Sequence, residues 1–268
     1  MKAVILCGGQ GTRIRDVADD IPKPMIRIGE RPILWHIMRI YAAAQITDFV
    51  LCLGYKSWSI KEYFLNFHAQ VADLTICPGR PGEVEYRGDF PERDWRIELA
   101  ETGLAAQTGA RLWRVRDRLA ADELFCFTYG DGVADIDIAE VIAFHRRHGR
   151  IGTVTGVRPP GRFGVMTLQE TGGDDTEDIG ASVSTFAEKP QAGDGLINGG
   201  FFVFDARVFE YLNDDPGLIF EAEPLKRLAQ DGQLMLYRLD GFWQPMDTYR
   251  EFRLLNDMWA AGEAPWQR

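Results

Sequence analysis

Long apolar runs are missing from this 268-residue sequence, and none approaches the ~18 residues of a membrane span. The first apolar stretch, Ala3-Val4-Ile5-Leu6-Cys7, stops at Gly8-Gly9, too short and too glycine-bounded for a signal peptide. Cysteine is scarce. The four residues Cys7, Cys52, Cys77 and Cys126 form no CxxC pair, and three lie in apolar, strand-like runs. That argues against a disulfide framework or a thiolate metal site, and for buried free thiols in a reducing cytoplasm. Positive charge is also short: 30 Lys and Arg against 40 Asp and Glu leave a net −10. A general binder of nucleic acid or of anionic membranes needs a basic footprint, so neither partner is expected. A local phosphate pocket survives this test, because a few cations and backbone amides suffice. No internal repeat or low-complexity linker divides the chain, which favours one continuous domain over residues 1–268.

What is present alternates strands with helices. Ala3–Cys7 reads as a strand covered on both faces. Pro32 stands where a helix would begin, and Ile33, Ile37, Ile40, Tyr41 and Ala44 follow at helical spacing. Phe49 to Leu53 is a second strand, Ile60 to Asn66 a short helix, and Leu124 to Tyr129 a further strand ending at Gly130-Asp131-Gly132. Ile138, Val141, Ile142 and His145 mark the next helix. The order implies an α/β fold: an open, mostly parallel, Rossmann-like sheet with helices on both faces. Leu74 to Leu99 is less regular and reads as strands and loops. Beyond Gly152 come shorter strands at Thr153–Val157, Val165–Leu168, Ser184–Ala187 and Phe201–Phe204, with an acidic turn around Gly173. A last helix is expected from about Thr248 towards Ala261.

Gly8-Gly9-Gln10-Gly11-Thr12-Arg13 follows the first strand directly. Glycines let backbone N–H groups approach phosphate oxygens, and a basic residue completes such an anion site. Two familiar phosphate loops are excluded by spelling. The Gly-Lys-Ser/Thr ending of a P-loop is absent, and Ile14 stands where a dinucleotide fingerprint needs glycine. By themselves the glycines suit a plain tight turn equally well. Lys23, between Pro22 and Pro24, adds a second cation on a segment the prolines should hold extended, and two cations near three glycines suit a triphosphate.

The run from Gly8 to Leu34, GGQGTRI followed by IPKPMIRIGERPIL, closely resembles the signature of sugar-1-phosphate nucleotidyltransferases. The resemblance continues in order through WHIM, GYK, IKEYF, FTYGDGVADIDI, PPGRFG, EKP, INGGFFVF, EPL and GFWQPMDT, covering essentially the whole chain. Its longer blocks are most similar to the branch that uses CTP and glucose 1-phosphate. The resemblance implies a nucleotide-binding part over about residues 1–150 and a smaller, β-rich sugar-phosphate part over about 151–268. In such enzymes a sugar-1-phosphate oxygen attacks the α-phosphorus of the triphosphate, and pyrophosphate leaves. The nucleophile is already an anion, so catalysis rests on positioning and on charge rather than on a general base.

The same resemblance implies roles for individual residues. Leu6, Gly8, Gly9, Gly11, Thr12 and Arg13 wrap the nucleotide, with Arg13 on the leaving phosphates, and Thr108, Arg111 and Gly130 complete that pocket. Lys23 bridges the reacting phosphates. Asp131 and Asp247 are the carboxylate pair for Mg2+, which binds one or two carboxylates plus substrate phosphates. Lys189 is the sugar-phosphate cation, Glu188 the partner of sugar hydroxyls, and Asn198, Gly199 and Trp243 the rest of the sugar pocket. A homo-oligomer is implied as well. The sequence departs from the branch at Leu104-Ala105-Ala106-Gln107, where small hydroxyl and acidic residues are expected, and in a longer acidic turn near Gly173. Without the resemblance, Asp131 beside glycine is as well explained by turn chemistry. His145 and His148, three apart on a helix with no third ligand nearby, read as a solvated face and not a metal site. A regulator that binds sugar nucleotides without turnover would lack some of Arg13, Lys23, Asp131, Lys189 and Asp247; all five are here.

Overall fold

A computed structural model describes residues 1–9, 21–80, 82–158 and 196–267, together with the backbone of 165–168 and 183–187. Seven strands form the central sheet: β1 (Ala3–Leu6), β2 (Asp48–Leu53), β3 (Arg96–Glu101), β4 (Leu124–Tyr129), β5 (Gly152–Val157), β6 (Ile197–Asp205) and β7 (Leu234–Leu239). Their spatial order is β7-β5-β6-β4-β1-β2-β3. β1 pairs parallel with both β2 and β4, β2 with β3, and β5 with β7, while β6 runs antiparallel to both of its neighbours. The sheet is therefore mostly parallel, as expected.

Period-two alternation sorts each strand between two apolar layers. Ala3, Ile5, Phe49, Leu51 and Cys126 face one core with Ile37 and Leu255; Val4, Val50, Phe125 and Phe127 face the other with Leu112 and Leu228. Helices cover both faces. The helix Ile33–Ala43 starts behind Pro32, whose fixed φ suits a helix N-terminus. The last helix, Tyr249–Ala260, is entered through a capping box in which Thr248 and Glu251 satisfy each other's backbone N–H groups. Among the described residues no helix is long and apolar enough to cross a membrane.

The stretch from Leu74 to Leu99, read as strands and loops, contains a hairpin, Asp73–Ile76 with Val84–Arg87, and the start of β3, an edge strand of the main sheet. Two expectations change. Lys23 does not lie in an extended segment: Lys23–Met25 form one 3-10 turn, closed by Met25 N–H donating to Pro22 O at 2.8 Å. Nor is His145 on a solvated face. It is 2% exposed, and its Nδ1 lies 2.9 Å from Thr153 Oγ1, with His148 Nε2 at 2.7 Å from the same hydroxyl. Thr153 belongs to β5, so the contact follows from the helix lying on that strand. The acidic turn near Gly173 lies outside the described residues.

A second buried imidazole shows how tightly protonation is specified. His36 Nε2 lies 3.0 Å from Ile28 O, while Nδ1 accepts from Trp266 Nε1 at 3.3 Å, an arrangement that fits one neutral tautomer. Burial pulls the pKa of His36, and that of His145, down to about 4. Below the unfolded value near 6.5 the unfolded chain binds protons that the fold refuses, so stability falls as pH drops from about 6.5 towards 4. The slope is at most about 1.4 kcal/mol per pH unit for each histidine. Urea midpoints across that range should show the loss, and His36→Gln should flatten it. An unchanged slope in that variant would remove His36 from the account.

Candidate functional site

The chain leaves β1 towards β2 on one side and returns to β4 on the other, so the strand order reverses at β1. In open α/β sheets ligands bind in the crevice beyond the strand ends at such a reversal. Here the segments leaving β1 and β4 are Cys7-Gly8-Gly9 and Gly130-Asp131. Gly130 is required by close approach: a Cβ there would stand 2.6 Å from Leu6 O and 3.0 Å from Pro24 Cγ.

A short ribbon finishes the arrangement. Gly132–Ala134 pairs antiparallel with Trp243–Pro245, and Met246 N–H donates to Asp131 O at 2.8 Å. That ribbon carries Asp247 to Asp131. Between the two carboxylates sits the Lys23 ammonium, donating to Asp131 Oδ2 at 2.6 Å and, still closer, to Asp247 Oδ1. Burial alone would lower the lysine pKa; the paired carboxylates outweigh it and hold the ammonium above its ordinary value. Glu251 ties the chain beyond by accepting from the backbone N–H groups of Asp247 and Thr248 at 2.7 and 2.8 Å.

These groups line a cleft of about 370 Å³. Of the residues expected on the nucleotide side, Leu6, Gly8, Gly9, Thr108, Arg111 and Gly130 line it, with Lys23, Asp131 and Asp247. A smaller hollow beside Asp131 is lined by Asn198, Gly199 and Trp243, the residues expected around the sugar. Trp243 Nε1–H donates to Gly199 O at 2.7 Å, and Asn198 Oδ1 accepts from Gly200 N at 2.8 Å. Gly11, Thr12, Arg13, Glu188 and Lys189 lie outside the described residues. Pro24, Ala106, Gln107 and Tyr129 also line the cleft, though none was expected as a site residue. Pro24 and Tyr129 stand inside the blocks that carry the resemblance, and Ala106 and Gln107 in the segment that departs from it.

Arg111 has a structural engagement that spacing could not show. It is 4% exposed, and its guanidinium donates to Leu53 O at 2.8 Å, Thr102 Oγ1 at 2.8 Å and Gly8 O at 3.1 Å. It therefore joins the ends of β1 and β2 to the helix Thr108–Arg114. Gly8 fits against it only because it lacks a side chain, since a Cβ would fall 2.2 Å from Arg111 Nη1.

The donor chemistry also suits one class of metal. Two hard carboxylates reach one point, and no group of three His, Cys, Asp or Glu side chains among the described residues could hold an ion. Such a set fits an ion that takes one or two carboxylates and completes its shell with substrate oxygens and water, as Mg2+ does.

The nucleotidyl transferase family profile matches residues 2–251. The sequence is 45% identical over 268 residues to the glucose-1-phosphate cytidylyltransferase of Salmonella typhi, covering 100% of this chain and 99% of that one. It is equally 45% identical, over 267 residues, to a probable glucose-1-phosphate cytidylyltransferase of Bacillus subtilis (strain 168), again covering 100% and 99%. Among solved structures, a UTP-bound UGPase from Acinetobacter baumannii aligns with a TM-score of 0.68 at 15% identity, over 99% of this chain and 95% of that one. A putative glucose-1-phosphate thymidylyltransferase from Bacillus anthracis aligns at 0.63 and 17% identity, over 96% and 94%. These two share the fold.

Removing the Arg111 guanidinium takes a charged donor from the Thr102 hydroxyl oxygen and from the carbonyls of Gly8 and Leu53, which keep only Tyr55 N–H and the N–H and hydroxyl of Thr102. Arg111→Met should destabilise the protein by about 2–3 kcal/mol in urea denaturation, and Arg111→Lys should restore only part, lacking the fork. An unshifted midpoint would show that the guanidinium is not a strut.

Proposed function

The chain belongs to the nucleotidyl transferase family, and from that premise we propose that it joins CTP and α-D-glucose 1-phosphate to give CDP-glucose and pyrophosphate. The observation that carries the reading is the 45% identity, end to end, with glucose-1-phosphate cytidylyltransferases. The geometry supports it by bringing Lys23, Asp131 and Asp247 together beside the glycines that follow β1. An oxygen of the sugar 1-phosphate attacks the α-phosphorus of CTP, the bond to the β-phosphate oxygen breaks, and pyrophosphate carries away the electron pair. The barrier comes from two anions meeting and from charge on the leaving group.

In this reading Gly8 and Gly9 offer backbone N–H groups to the triphosphate, with Gly11, Thr12 and Arg13 continuing the loop. Asp131 and Asp247 would hold Mg2+, which would supply charge neutralisation at the phosphate oxygens. Lys23 turns its ammonium to the reacting phosphates. Lys189 and Glu188 take the phosphate and hydroxyls of the sugar, whose ring lies in the hollow of Asn198, Gly199 and Trp243. Thr108 and Arg111 set the wall on the base side, with Ala106 and Gln107 at the rim. Cytosine presents an amino donor where uracil and thymine present a carbonyl. An acceptor at that wall would leave two acceptors opposed when the wrong pyrimidine enters.

The deciding experiment measures pyrophosphate release from CTP, UTP, dTTP and GTP, each with glucose 1-phosphate, with and without excess chelator. CTP should lead in kcat/KM by about tenfold or more, since a buried unpaired polar group costs about 1–3 kcal/mol. All turnover should stop in chelator. A lead for dTTP or GTP overturns the nucleotide assignment.

Because the ammonium of Lys23 and a divalent ion would share the same two carboxylates, a second outcome follows for the lysine. Lys23→Met should lose most of kcat and yet bind Mn2+ more tightly than the wild type in the absence of nucleotide, measured by electron paramagnetic resonance. Equal or weaker Mn2+ binding in the variant would separate the lysine from the metal site.

A further inference from the structure

One carboxylate beside the site has no part in this chemistry. Glu221 accepts from the Tyr129 hydroxyl at 2.5 Å through Oε1 and from the Thr108 hydroxyl at 2.6 Å through Oε2. Thr108 lines the larger cleft, while Tyr129 lines both the cleft and the hollow. A single side chain thus grips the walls of both compartments, across 113 and 92 residues of sequence.

The direction of every proton in this network is determined. An ionised carboxylate only accepts, so both hydroxyl protons point at Glu221. Asn198 Oδ1 is committed to the N–H of Gly200 at 2.8 Å, which fixes the amide and turns Nδ2 to Tyr129, 3.2 Å from its oxygen. Thr108 Oγ1 accepts in turn from Phe220 N at 2.8 Å. The Tyr129 oxygen has therefore given its proton away and received one hydrogen bond from Asn198. Among the described residues it has no further partner, which leaves one lone pair and no proton for a ligand. Burial, with the negative charge of Glu221 next, raises the phenol pKa, so the hydroxyl stays intact at neutral pH.

We infer that Glu221 is a positioning residue that fixes the Tyr129 hydroxyl as an acceptor towards the hollow, so that this compartment takes a hydroxyl donor of the sugar and turns away phosphate oxygens. The inference rests on the proposed sugar 1-phosphate and adds the means by which the two ends of that substrate are told apart. A phosphate oxygen can only accept, and it meets an acceptor at Tyr129. A sugar hydroxyl can donate, and it completes the chain that ends on Glu221. The phosphate is left to the cation side, where Lys23 stands. Without the carboxylate the phenol could rotate its proton into the hollow and welcome either end.

The test uses the glucose 1-phosphates in which a single ring hydroxyl is replaced by fluorine, which cannot donate. With CTP and the wild-type enzyme, one analogue should lose about tenfold or more in kcat/KM, and bind correspondingly more weakly in calorimetry. That penalty should shrink below about threefold in Tyr129→Phe, because the acceptor is gone, while the other analogues keep their ranking. Glu221→Gln should reduce the same penalty, since its amide can donate to Tyr129 and release the phenol proton. Thermal melting of each variant reports folding; if Tyr129→Phe fails to fold, the Glu221→Gln result decides. The same penalty in the wild type and in both variants overturns the inference while leaving the proposed reaction standing. Absence of any binding of glucose 1-phosphate itself would overturn both, and is read in the unsubstituted control before any analogue is compared.

Discussion

The candidate site depends on one ammonium held between two carboxylates. Lys23, Asp131 and Asp247 are separated by more than a hundred residues at each step and come together through three different devices. The lysine arrives on a 3-10 turn whose second residue, Pro24, packs against the backbone at Gly130. Asp131 arrives at the end of β4. Asp247 arrives because a three-residue ribbon pins Trp243–Pro245 to Gly132–Ala134. A partly buried ion pair is weak evidence for stability, since desolvation offsets much of the attraction. Two carboxylates around one lysine are better understood as a site with a cation-binding function than as a stabilising contact.

The same economy governs the floor of the cleft. The carbonyls of Leu53 and Gly8, at the ends of β2 and β1, accept from the backbone N–H groups of Thr102 and Tyr55, and the guanidinium of Arg111 joins the two by donating to both. A planar fork with several donors does this in a way that a lysine could not. The requirement propagates back to sequence: Gly8 must lack a side chain to lie against that fork, and Gly130 must lack one to lie against Leu6 and Pro24. Gly8 is thus demanded by packing beneath the loop as much as by any ligand above it, whereas Gly9 has open space where a side chain would stand.

How much of this was legible follows from the range of each interaction. β1, β2, β4 and the helices behind Pro32, Asp137 and Thr248 could be read because their signals are local: apolar runs, helical spacing, a cap. β3 was obscured because its residues Arg96 to Glu101 alternate charge with apolar side chains on an edge strand, inside a stretch crowded with Pro, Gly and charge. His145 was misread as solvated because helical spacing says which face a residue shares, not which strand lies on that face. Asp131 was visible as a carboxylate at a strand end, yet its meeting with Asp247 required a ribbon too short to announce itself. The pairing of Glu221 with Tyr129 gave no signal, because their hydrogen bond has no local counterpart; Tyr129 showed only as the last residue of a strand.

A metal also fits the charges of the described residues that line the cleft, to which the proposed reading adds Arg13 and Lys189 from outside them. Among the described lining residues the ionisable acids and bases of full charge are Lys23, Arg111, Asp131 and Asp247, two of each sign. The arginine is turned to protein carbonyls, and the lysine is already matched by carboxylates. These four side chains offer no net positive charge to a triphosphate, on a chain whose overall charge is −10. Backbone amides at Gly8 and Gly9 carry only partial charge, which by itself does not offset several phosphate charges. A divalent cation on Asp131 and Asp247 would change the balance by two units at the point where the phosphates meet, and would free the lysine ammonium to face them. The two carboxylates, which alone would repel the substrate, then become the means of attracting it.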